Sequence, residues 1–106
     1  MKRFLLLSLV VLATVLGACR SGPAEDPILQ LSSQEALAEG KKLMEQKKWN
    51  PARKYFIHAF EVEPNSAIGR EALLLAADTF YLEGGSTNFV QAEAKYRDFL
   101  NRFPTS

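Results

Sequence analysis

The chain of 106 residues contains one cysteine and one histidine. A single cysteine leaves no intramolecular disulfide framework, and with one histidine beside it a Cys/His zinc site has too few ligands. Net charge is small, +1 from 13 Lys+Arg and 12 Asp+Glu. Without residues 1–18, which hold Lys2 and Arg3, 11 Lys+Arg face 12 Asp+Glu, a balance of −1. Neither value calls for a polyanionic partner, and nucleic acid is not expected. Beyond residue 18 no apolar run approaches the length of about 20 residues that spans a membrane. An enzyme is not expected either: His58 has no Ser, Cys or carboxylate at a spacing that makes a dyad. Gly84-Gly85 lacks phosphate-loop context.

What is present begins with a leader. Met1-Lys2-Arg3 is a short positive region, and Phe4 to Leu16 is a run of 13 uncharged residues. That run is too short to span a membrane and suits the apolar core of a secretory signal, so residues 1–18 are expected to direct export. Leu16-Gly17-Ala18-Cys19 resembles the bacterial lipobox. The resemblance implies that Cys19 becomes the mature N-terminus, carrying a diacylglyceryl thioether and an acylated amine, and no other cofactor. Several acyl chains hold a protein stably where one is marginal, at about 0.8 kcal/mol per buried CH₂. Arg20 stands where an Asp would favour inner-membrane retention in the enterobacterial pattern, so the expected place is the outer membrane, facing the periplasm.

Residues 19–32 mix Gly, Pro, Ser and charge without helical period and are expected to be a tether. Residues 20–33 fully extended would reach roughly 45–50 Å at 3.3–3.6 Å per residue. From Ser32 the pattern turns helical. Ser32-x-x-Glu35 is a capping box, and Ala36, Gly40, Leu43 and Met44 follow at helical spacing to Lys47 or Lys48. Asn50-Pro51 then predicts a second helix, with Asn50 as N-cap and Pro51 at the first position. It is striped by Ala52, Tyr55, Phe56, Ala59 and Phe60. A third helix runs from Ser66 or Ala67 to Glu83, apolar over more than half its circumference, which implies neighbours on both sides. Gly84-Gly85 stops it, and Asn88 is the expected N-cap of a fourth helix bearing Phe89, Ala92, Tyr96, Phe99, Leu100 and Phe103 on one face. The fold class is all-α, two helical hairpins with no strand.

The hairpins repeat each other. Ala52, Phe56, Ala59 and Pro64 are spaced 4, 3 and 5, as are Ala92, Tyr96, Phe99 and Pro104. Gly40 precedes Ala52 by twelve residues, and Ala77 takes the same place in the second hairpin with three extra residues in the following loop. Small residues let helices approach and large ones fill the space between them, so this spacing reads as a tetratricopeptide-like (TPR-like) repeat over residues 33–66 and 67–106. Repeat arrays of this kind normally hold about three or more units and a polar capping helix. The chain is therefore expected to continue in a longer protein or to be completed by a partner.

Lipobox, tether and slightly long TPR units ending in EPNS and RFPTS together resemble the N-terminal part of the BamD-type lipoproteins of the outer-membrane β-barrel assembly machinery. Other envelope TPR lipoproteins, of pilus assembly and cell-wall coordination, share these motifs. The resemblance implies a periplasmic scaffold, held to the membrane by its lipid, that contacts the barrel-shaped assembly subunit and unfolded outer-membrane protein segments. TPR arrays bind peptides on the surface lined by the first helix of each pair. The lining offsets carried over give Leu37, Lys41 and Met44 from one helix, and Leu74, Asp78 and Tyr81 from the other. A second feature is basic: Lys41, Lys42, Lys47, Lys48, Arg53 and Lys54 crowd residues 41–54. They read as a solvated rim or, alternatively, as a face for peptidoglycan or anionic lipid, where each cation adds about 1 kcal/mol.

Overall fold

The computed structural model describes residues 26–105. The leader, the lipobox with Cys19 and most of the tether lie outside them. Four helices follow a short 3-10 turn over Pro27–Gln30: α1 Ser33–Glu45, α2 Trp49–Val62, α3 Ala67–Glu83 and α4 Ser86–Arg102. Among the described residues there is no strand. Consecutive helices are joined by short turns and lie against one another, and α1 also touches α3. The result is two helical hairpins stacked side by side, the all-α arrangement expected.

Helix starts follow local chemistry. The capping box forms: Ser32 Oγ accepts from Glu35 N–H at 3.1 Å, and Glu35 Oε1 accepts from Ser32 N–H at 3.1 Å. These two hydrogen bonds hold the Glu35 carboxyl below the usual range. Ser66 caps α3 by accepting from Gly69 N–H at 2.9 Å.

Two expected caps are corrected. Helix α2 begins at Trp49, with Lys48 and not Asn50 before it. Pro51 is thereby in the third position, still within the first turn, where no intrahelical N–H is needed. Helix α4 begins at Ser86, and Asn88 lies inside it, its Nδ2 donating to Gly84 O at 2.8 Å. The glycine pair both stops α3 and starts α4, with φ of +83° at Gly84 and +92° at Gly85.

The end of α1 is built without glycine. Lys47 N–H donates to Met44 O at 2.9 Å and Lys48 N–H to Leu43 O at 3.0 Å. This is a Schellman motif, and Lys47 occupies its left-handed position at φ 61°.

The core explains the small residues at these spacings. Ala36, Ala52, Phe56, Ala59 and Ala72 are fully buried together, with Leu37 and Ala76 closing the cluster. Gly40 lets α1 approach the Phe56 ring closely. The tether is less plain than its composition suggests. Its last residues form the 3-10 turn, Leu31 lies against the core, and buried His58 donates from Nε2 to Leu31 O at 2.9 Å. His58 is thus a structural residue that fastens the chain entering α1 to α2.

Candidate functional site

The face of the first hairpin that holds α3 comes from one side of α1 and one side of α2. Lys41 Nζ meets Glu71 of α3 at 2.7 Å. Arg53 carries the other end of the seat: Nη2 pairs with Glu83 at 2.7 Å, and Nε donates to the fully buried Thr79 Oγ1 at 2.9 Å. Its guanidinium carbon lies 3.6 Å from the Phe80 ring centre. Between these ionic ends, Ala72 and Ala76 of α3 enter the core beside Leu37 and Phe56.

In sequence the second hairpin aligns with the residues of this seat. Thirty-seven residues on, Leu37, Lys41 and Met44 become Leu74, Asp78 and Tyr81; forty residues on, Trp49, Arg53, Phe56 and Phe60 become Phe89, Glu93, Tyr96 and Leu100. Here the face is open. Leu37 is 7% exposed where Leu74 is 36%, and Phe89, Leu100 and Tyr81 stand at 48%, 58% and 58%. Tyr81, Phe89, Ala92, Tyr96 and Leu100 line a groove of about 560 Å³, with Glu93 and Arg97 at its polar edge. Tyr81 and Phe89 rings lie 5.7 Å apart across it. Isolated exposed apolar residues are ordinary, but a contiguous aromatic and aliphatic patch with a charged rim marks an interaction surface.

The electrostatics of this face differ from those of the first. Tyr96 donates its hydroxyl to Asp78 Oδ1. Burial, that hydrogen bond and the nearby charge of Asp78 push the phenol well above its usual range. Among the described residues Glu93 pairs with Arg97 on its own helix, at 2.8 Å, with both side chains largely in water. A pair so exposed contributes little to stability.

The residues expected to line a groove therefore divide. Leu37 is core, Lys41 is paired to α3, and Met44 is half-buried between α1 and α3, beside the cavity lined also by Trp49 and Leu75. Tyr81 lines the open groove, Leu74 is exposed, and Asp78 is half-buried against Tyr96. The basic cluster divides as well. Lys42, Lys47, Lys48 and Lys54 are exposed. Arg53 does not belong to an exposed basic face, because its side chain is 12% exposed and engaged by α3. Sequence reasoning placed Phe89, Tyr96 and Leu100 on one face of α4 but did not find that they line a groove with Glu93. The forty-residue offset from Trp49, Arg53, Phe56 and Phe60 was the signal that could have found them.

Among the described residues no three His, Cys, Asp or Glu side chains gather into a metal-ligand cluster, and no helix is long and apolar enough to cross a membrane. No known protein family, curated protein or solved structure matches the chain.

Proposed function

We propose that this chain is a non-enzymatic, TPR-like scaffold of the bacterial envelope. It is anchored through lipid on Cys19 to the periplasmic face of the outer membrane and serves β-barrel protein assembly. The observation that supports the scaffold reading is that two helical hairpins lie against one another and the second presents an open apolar face. Stacked hairpins bury a continuous core, and they offer extended surfaces to partners. The anchor and compartment rest on the lipobox and leader, and the assembly role rests on the resemblance to BamD-type lipoproteins. Its partners on this reading are the barrel assembly subunit and unfolded outer-membrane protein segments.

Co-purification from detergent-solubilised envelopes tests the role. The expected result is recovery of the barrel assembly subunit with the tagged chain; recovery of pilus or cell-wall proteins alone would refute it. Cys19→Ser tests the anchor, and is expected to release a folded protein from the membrane fraction. Charge reversal at Lys47 and Lys48 is expected to leave pelleting with sacculi or anionic vesicles unchanged, since Arg53 of that cluster is committed to α3.

A further inference from the structure

We infer that the open groove on α4 seats a second copy of this chain, with two α4 helices crossing antiparallel about a two-fold axis. The inference goes beyond the scaffold reading and stands apart from its anchor and clients. It rests on how charge is arranged at two comparable faces. The groups that tie the first hairpin to α3 have one sign. Lys41 and Arg53 are both cations, and the acids that answer them, Glu71 and Glu83, come from the incoming helix. Such a face selects a helix unlike itself. The groove lined by Tyr81, Phe89, Tyr96 and Leu100 is edged instead by both signs, Glu93 and Arg97, one turn apart on the same helix. A surface that carries an acid and a base at its edge is complementary to itself, which is the condition for an isologous contact.

Positions along α4 fit the same symmetry. Glu93 and Arg97 lie between Phe89 and Leu100, and the two pairs are centred within half a residue of each other. Antiparallel pairing about that centre sets Phe89 of one copy against Leu100 of the other, and Glu93 against Arg97, each twice. Phe89 and Leu100, both exposed in the single chain, then leave water together. Within one helix the Glu93–Arg97 pair is weak because both side chains are in water. Across the axis the same groups meet at the rim of an apolar contact, where screening is smaller. Parallel pairing in register lacks this complementarity, because it sets like charge against like.

Sedimentation equilibrium of the full chain in a density-matched nonionic detergent reads the association. A concentration-dependent equilibrium between monomer and dimer is expected. Leu100→Glu, at an exposed position, is expected to keep the helical circular dichroism and weaken the dimer at least about tenfold, because a charge enters the apolar contact twice. Glu93→Arg and Arg97→Glu each place like charges across the axis, and each is expected to weaken the dimer at least about threefold. Mixed in equal amounts, these two variants are expected to associate with one another more tightly than either does with itself, because each then meets the opposite charge. Neither the fold of a single chain nor a groove that holds another protein produces this recovery.

A chain that is monomeric at every concentration overturns the inference, whatever else covers the groove. So does association that survives Leu100→Glu, or a mixture of the two charge variants that associates no more tightly than they do alone. None of these results bears on recovery of the assembly subunit from envelopes, so the scaffold reading stands or falls separately.

Discussion

A Cβ atom on Gly40 would lie 2.6 Å from Cε1 of Phe56, a ring with no exposed surface. The helix α1 can approach α2 only because this atom is missing. In an isolated helix, Gly→Ala would be stabilising by about 0.8–1 kcal/mol. Here the steric term outweighs it, and Gly40→Ala is expected to lower stability by roughly 1–3 kcal/mol, the usual cost of overpacking. Chemical denaturation of Gly40→Ala alone and with Phe56→Leu checks it. The smaller, flexible side chain should recover part of the loss.

Backbone conformation, free of contacts, can be tested at three turn positions. Nothing lies within 4 Å of a Cβ built on Gly84 or Gly85, yet both have φ where side chains are strained. Gly84→Ala and Gly85→Ala are each expected to cost about 1–3 kcal/mol. Lys47 is the reverse case, a side chain already in the left-handed region. Lys47→Gly is expected to stabilise the protein by about 0.5–1 kcal/mol, because relief of that strain exceeds the entropy glycine adds to the unfolded chain. Thermal melts of the three variants should move in opposite directions.

Arg53 joins the hairpins through three groups of α3 at once, Thr79, Phe80 and Glu83, and also donates to Asn50 on its own helix. A lysine keeps the charge and loses both the planar stack and the fork of donors. Arg53→Lys is expected to cost about 1–2 kcal/mol and Arg53→Ala about 2–4 kcal/mol, since Thr79 and the Phe80 face lose their cover. A double-mutant cycle with Glu83→Gln separates the ion pair from the stack, and most of the loss should survive in the Gln background.

Tyr96 should be visible at alkaline pH. Its phenol is held neutral by burial and by Asp78, so its folded pKa lies above the unfolded value of about 10. The stabilisation this confers is complete below that unfolded value and is lost as pH rises through the folded one. In a titration of absorbance at 295 nm, the difference between the parent protein and Tyr96→Phe should show one phenol ionising late. Asp78→Asn should bring it earlier.

How much of this was legible in the sequence differs by element. The capping box at Ser32 and Glu35, and Ser66 ahead of α3, were readable because each is complete within four residues. The start of α2 was misread at Asn50-Pro51. Asn is a good cap in general, but the Schellman turn through Lys47 and Lys48 sets the chain helical two residues earlier. Asn88 misled for a similar reason: paired glycines with positive φ let α4 begin at once, and Asn88 turns back to Gly84 O. The 3-10 turn is too short to show a period. Above all, the links of Lys41 to Glu71 and of Arg53 to Glu83 are tertiary. A sequence pattern marks such residues as charged and helical, and it does not say that α3 lies across them.

The two-sided burial of α3 has a consequence for how the chain unfolds. Ala72 and Ala76 belong to the core of the first hairpin, while Asp78 holds Tyr96 of the second. A helix claimed from both sides cannot fray without loosening both hairpins. Hydrogen exchange in α3 should therefore report the global unfolding free energy, and the two hairpins should melt as one cooperative unit.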